Sequence, residues 1–204
     1  MSTITTTSDR FALPALESIL KGWSDTSGTV CLYGGAARAL HTGEEVNDYD
    51  FFCTTEEVRE AFVSMLLRRN AVCVGRTFSS LNENLSEEFE MPLIGSSKQY
   101  DVIQVRKPTL QLDEWIKTTD MTAVQFVYMI TGKERRFVAT PSAICDSTLR
   151  RVVLHNVSSP RGTLARVGRM IAKGWQPSFD INDLRERAAT AVSQGLVLKR
   201  KLVR

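Results

Sequence analysis

Histidine is scarce in this chain and paired cysteine is missing, and each shortage removes a class of site. Two histidines, His41 and His155, are too few for a histidine-rich metal centre. The four cysteines, Cys31, Cys53, Cys73 and Cys145, include no C-x-x-C pair, and three of them sit inside apolar runs with strand character. That pattern argues against both a zinc module and a disulfide framework. Long apolar runs are lacking too. "AVCV" and "AFVSMLL" fall well short of the roughly 20 residues that a membrane span needs, and the N-terminus "MSTITTTSDR" has no signal-peptide apolar core. The expectation is a soluble, cytoplasmic protein with no membrane partner. No internal repeat or low-complexity linker is visible.

What is present is enough for a real core: 204 residues of 43% hydrophobic content, sufficient for one large domain or a main domain with a small appendage. The net charge of +3 conceals an asymmetry. Residues 1 to 145 carry 14 basic and 19 acidic side chains, whereas 146 to 204 carry 12 basic and 4 acidic. The C-terminal quarter is therefore the part suited to a polyanion, although a solvated basic face explains the charge equally well.

Periodicity predicts a short amphipathic helix over 11 to 23, with Leu16, Ile19 and Leu20 inward and Pro14 at its start. A buried strand over 28 to 33 runs directly into Gly34-Gly35, followed by a helix that stops near Gly43. "DYDFFC" (48 to 53) alternates as a strand, so Asp48 and Asp50 share one face and Tyr49 and Phe51 the other. A helix follows from a Thr54–Glu57 capping box, with Val58, Phe62, Met65 and Leu66 as its inner stripe. "AVCVGRTFS" and "YDVIQV" read as strands, and the acidic stretch at 81 to 92 between them reads as a loop. Helices are expected over 110 to 117, 120 to 130 and 141 to 147. Another begins after "SSP", with Leu164, Val167, Ile171 and Trp175 as its stripe, and one more is capped by Asp180 before the basic tail "LKRKLVR".

Three features point to chemistry. A strand, a Gly-Gly turn and a helix start place backbone N–H groups where an anion can approach closely. An i, i+2 carboxylate pair at a strand edge presents hard oxygen ligands suited to Mg²⁺ bridged to phosphates. Asp101, heading a strand with apolar Val102, Ile103 and Val105, is either an exposed strand-end residue or a third carboxylate of the same site. Each feature alone is common, as a plain turn, a surface D-x-D or a strand end.

Together they resemble a known family. "GGAARALHTGEEVNDYD" is similar to the signature of the polymerase-beta-type nucleotidyltransferases, in the branch of bacterial poly(A) polymerases and CCA-adding tRNA nucleotidyltransferases. Gly34, Gly35, Arg38, Leu40, Gly43, Asp48 and Asp50 match it in order. "DVIQVR" resembles the family's later strand, where an acid precedes an arginine by five positions, and "TTDMTAVQFVYM" a conserved-type segment of the head. "LRRVVLHNVSSPRGTLARVGRMIAKGW" is similar to the Arg-rich neck helices.

The resemblance implies an α+β head, a mixed sheet flanked by helices over residues 1 to 138, and a helical basic neck over 139 to 204. It also implies Mg²⁺- or Mn²⁺-dependent transfer of a nucleoside monophosphate from an NTP, ATP or CTP, to a hydroxyl such as an RNA 3′ end, with pyrophosphate released. Asp48, Asp50 and Asp101 would then be the catalytic metal ligands. Gly34, Gly35 and Arg38 would hold the triphosphate, with Arg166 and Arg169 near the nucleotide and Arg166, Arg169 and Lys173 facing nucleic acid. Ala39 stands where relatives carry Asp, the neck lacks their Glu-Asp-x-x-Arg pattern, and 204 residues are expected to hold head and neck alone. Two alternatives therefore stay open: a non-catalytic nucleotide or nucleic-acid binder, and nucleotidylation of a protein or small molecule.

Overall fold

The computed structural model describes residues 5–6, 11–79, 84–106, 112–193 and 201–202. In chain order the elements are β1 (Thr5–Thr6), α1 (Pro14–Leu20), β2 (Val30–Tyr33), α2 (Gly34–Thr42), β3 (Asp48–Cys53), α3 (Glu56–Arg68), β4 (Val72–Ser79), β5 (Asn84–Met91) and β6 (Asp101–Arg106). There follow α4 (Leu112–Thr118), a 3₁₀ turn at Thr122–Val124, β7 (Phe126–Thr131), β8 (Glu134–Ala139) and α5 (Pro141–Thr148). The chain ends with β9 (Arg151–Val152), α6 (Pro160–Ala172), β10 (Gln176–Pro177), α7 (Ile181–Ser193) and β11 (Lys201–Leu202). Two compact units result. Thr6–Thr109 with Phe126–Val138 make the sheet unit, and Leu110–Gln125 with Ala139–Lys199 make the helical unit. One division falls between Val138 and Ala139, and the segment before β7, Leu110–Gln125, groups with the helices.

The sheet unit is built on a mixed sheet of strand order β1-β8-β7-β2-β3-β6-β5-β4-β11. The pair β3–β6 is parallel, while β2 is antiparallel to both β3 and β7, and β5 to both β4 and β6. One face is covered by α1 and α3. Leu16 and Ile19 of α1 are buried, and Phe62 of α3 lies 5.1 Å from Phe51 of β3 and meets Trp23 edge-on at 5.4 Å. Each such side chain, taken fully out of water, contributes about 1.5–3 kcal/mol. The cap of α3 is Thr55, whose hydroxyl accepts from Val58 N–H at 3.3 Å. Thr54, the expected cap, instead accepts from Thr29 N–H at 2.9 Å and ties the helix start to β2.

Two expected non-strand segments are strands. The run expected as a helix over 120 to 130 is β7, paired with β2, because "FVYMIT" is aromatic and β-branched and the Gly132 turn closes a hairpin onto β8. Gly132 has φ +56, and a Cβ there would also come within 2.6 Å of Thr26 Cγ2. The acidic stretch at 81 to 92 is β5 from Asn84 onward, its earlier residues lying outside the described ones. Its alternation buries Glu87, Phe89 and Met91, and Glu87 is tolerated because Arg59 and Arg76 neutralise it.

In the helical unit, Trp175, Met121, Val152, Val167, Met170 and Leu184 form a separate core. Met170 takes the inward place on α6 expected of Ile171, which is exposed. Asp180 caps α7 as expected, accepting from Asn182 N–H at 2.9 Å. The basic tail lies outside the described residues except for the two of β11. Among the described residues no helix is long and apolar enough to cross a membrane.

Candidate active site

The strand alternation of β3 sends Tyr49, Phe51 and Cys53 into the helix-covered core and Asp48, Asp50 and Phe52 to the opposite face. Asp48 is exposed and Asp50 half-buried. Cross-strand neighbours extend this face: Tyr33 of β2 sits opposite Asp50, while Val102 and Gln104 of β6 sit beside Asp48 and Asp50. Since Tyr33 is also the N-cap of α2, the strand register places Asp50 directly beside the Gly34-Gly35 turn.

That turn has the form an anion needs. Gly34 has φ +71, which only glycine adopts at little cost, and neither Gly34 nor Gly35 has an atom within 4 Å of where a Cβ would be. The nine-residue α2 opens with no side-chain cap bond from Tyr33 and no acid in its first turn. Its first backbone N–H groups and the positive end of its dipole therefore start next to the residue that pairs with Asp50.

Arg106, five residues after Asp101, completes this side. Its Nη2 lies 3.5 Å from Asp50 Oδ1 and its guanidinium 5.6 Å from the Tyr33 ring centroid. Its pKa is raised, first by Tyr33 and then, against the opposing effect of burial, by Asp50 and Asp48. The guanidinium keeps its charge beside the carboxylate pair.

The other expected site residues fall elsewhere. Asp101 is 2% exposed and shares its face of β6 with buried Ile103 and Val105. Its neighbour across β5 is buried Met91. Directly paired residues of adjacent strands point to one side, so Asp101 lies on the side of Tyr49, not on that of Asp48 and Asp50. Tyr49 registers this: burial first, and the Asp101 charge second, push its hydroxyl up to about 12. Among the described residues no three His, Cys, Asp or Glu side chains gather to hold a metal ion. Asp48 and Asp50 fit a hard cation that takes the rest of its shell from phosphate oxygens; a three-carboxylate cluster is not formed. Arg38 is 6% exposed and donates from Nε and Nη2 to Glu44 Oε2 at 3.3 and 3.0 Å. Burial lowers its pKa, with Glu44 acting in the opposite sense.

In the helical unit, Arg166 is bound by Asp120, which also accepts from the Thr163 hydroxyl at 3.0 Å. Arg169 of α6 is exposed, and Lys173, which follows the helix as its C-cap, is half-buried. Sequence reasoning did not single out Arg106 as a site residue. The signal was its period-2 spacing from Val102 and Gln104, which fixes its side of β6.

The mixed sheet with its helices has the polymerase-beta-type nucleotidyltransferase fold. The sequence model of the Gabija anti-defense 2 (Gad2) family matches residues 9–151, and the chain belongs to that family. Among solved structures, it resembles the Thermotoga maritima CCA-adding enzyme complexed with tRNA at 15% identity and TM-score 0.54, over 85% of this chain and 40% of that one. An apo CCA-adding enzyme matches at 14% and 0.55, over 90% and 42% of the two chains. A tRNA nucleotidyltransferase complexed with a primer tRNA and an incoming ATP analogue matches at 17% and 0.52, over 83% and 48%. The chain thus spans less than half the length of these structures. No curated protein sequence matches it.

Proposed function

We propose that the protein is a metal-dependent nucleotidyltransferase that moves a nucleoside monophosphate from an NTP, ATP or CTP, to a hydroxyl and releases pyrophosphate. The observation that carries this reading is the strand register that sets Asp50 against Tyr33, so that the Asp48–Asp50 pair and the N-terminus of α2 face one place. Asp48 and Asp50 hold a Mg²⁺ or Mn²⁺ ion, which would neutralise triphosphate charge and stabilise the leaving pyrophosphate. The N–H groups at Gly34 and Gly35 receive phosphate oxygens, and the open space over Gly35 lets them approach the backbone. Arg106 supplies a fixed positive charge beside Asp50, suited to the charge that develops as the phosphoryl bond breaks.

An RNA 3′ end is the acceptor favoured by the basic side chains of α6 and its C-cap, Arg169 and Lys173 among them. A protein acceptor is the second reading, and family membership favours it: the family is named for action against the Gabija defence, so a hydroxyl on a Gabija protein is a direct target. The test incubates the protein with each of the four α-labelled NTPs, Mg²⁺ or Mn²⁺, total RNA with trimmed 3′ ends, and purified Gabija proteins. Label in RNA supports the first acceptor and label in protein the second. Label in neither, nor in the chain itself, removes the enzyme reading.

A further inference from the structure

Lys98 lies outside the sequence-derived site, in the loop between β5 and β6, yet that loop is built to hold it. Leu93 is buried, Ile94 N–H donates to Ser18 Oγ at 3.3 Å, and Lys98 N–H donates to Ser96 Oγ at 3.2 Å. With the loop fixed, the Lys98 ammonium donates to two successive backbone carbonyls, Val46 O and Asn47 O, each at 2.7 Å. Its remaining direction faces Asp101 Oδ1 at 3.8 Å. The two carbonyls accept hydrogen bonds from the ammonium, and Asp101 faces it as an ion pair.

Both carbonyls belong to the segment that links α2 to β3 and delivers Asp48. This segment is neither helix nor strand: Gly43 N–H closes α2 on Ala39 O, Arg38 holds Glu44, and Lys98 holds the two carbonyls next to Asp48. Asp101, for its part, is a buried carboxylate whose Oδ2 has no hydrogen-bond partner among the described residues. Leaving such a charge uncompensated is costly, and the Lys98 ammonium is the cation beside it. One side chain therefore links the start of β6, the β5–β6 loop and the entry to β3.

We propose that Lys98 is the positioning residue for the Asp48–Asp50 pair, and that Asp101 serves the Lys98 ammonium rather than the divalent ion. The metal-facing half of this assignment rests on the reading that Asp48 and Asp50 hold that ion. Lys98 touches neither nucleotide nor metal; it fixes the backbone from which Asp48 projects.

The test uses the full chain and two readouts. The first is Mn²⁺ affinity in the presence of ATP, measured by titration. Asp48→Asn abolishes it, Lys98→Met lowers it about tenfold, as loss of a support behind a ligand does, and Asp101→Asn changes it by less than about threefold. The second is amide hydrogen exchange of residues 48–50 in metal-free protein, which Lys98→Met accelerates about tenfold while exchange in α3 stays at the wild-type rate. Asp101→Asn abolishing Mn²⁺ binding as completely as Asp48→Asn would overturn the proposal. So would unchanged exchange at 48–50 in Lys98→Met. If the wild-type chain incorporates no NTP and binds no Mn²⁺, the nucleotidyltransferase reading fails, and the exchange measurement still decides whether Lys98 holds the entry to β3.

Discussion

The two units treat their aspartates in opposite ways. In the helical unit, Asp146 is 3% exposed and surrounded by donors: the Thr122 hydroxyl, and Arg151 from both Nε and Nη2 at 2.9 and 2.6 Å. Asp120 likewise holds the Thr163 hydroxyl and the Arg166 guanidinium. In the sheet unit, Asp48 and Asp50 are placed on one face of β3, exposed and half-buried, with Arg106 at 3.5 Å from Asp50. Carboxylates saturated by donors are bracing; a like-charged pair set together in the open is a place for a cation. The same residue type thus does structural work in one unit and, on the proposed function, receives the divalent ion in the other.

Breaking the open pair has the largest expected effect. Asp48→Asn or Asp50→Asn should lower NTP incorporation at least about a hundredfold, because the charge that positions the ion is lost. Unfolding free energy should move by no more than about 0.5 kcal/mol, since Asp48 is exposed and Asp50 only half-buried. Incorporation and denaturant midpoints measured on the same preparations check both halves. Next comes the saturated side. Asp146→Ala strands the buried Thr122 hydroxyl and the Arg151 guanidinium, and should cost about 1–3 kcal/mol of stability. NTP incorporation by the folded variant should stay at the wild-type rate. An Asp146 variant that kept its stability but lost incorporation would erase the distinction.

How far the sequence reached follows the same physics. Alternation within β3 is local, so the shared face of Asp48 and Asp50 was legible, as were the Gly34-Gly35 turn and the start of α2. Alternation within β6 equally sets Asp101 with Ile103 and Val105. Which side of the sheet that is depends on the pairing of β6 with β3 and β5, a long-range fact that no local pattern carries. Glu87 shows the converse difficulty: an acidic run reads as a loop until Arg59 and Arg76, distant in sequence, are seen to neutralise its buried member. β7 was misread as helix because its short apolar run fits either period, and only pairing with β2 decides. The resemblance to neck helices assigns Arg166 and Arg169 by position and charge, and neither tells which of them Asp120 holds.

Arg166 and Arg169 therefore give the finest version of the comparison, on a single helix face. They stand three residues apart on α6, and three residues make neighbours on a helix. Arg166, although its side chain is 45% exposed, is paired with Asp120, a carboxylate that is 8% exposed and also accepts from the Thr163 hydroxyl. Arg166→Ala should therefore cost about 1 kcal/mol of stability. Arg169 is exposed, so Arg169→Ala should leave stability unchanged and remove one phosphate contact. The expected signature is a fall of about 0.7 in the slope of log affinity for single-stranded RNA against log salt concentration. Titrations across a range of salt, paired with denaturation curves, separate the two. Equal slope changes from both variants, with stability intact in each, would mean that Asp120 does not hold Arg166 away from RNA and that the whole basic face acts as one electrostatic surface.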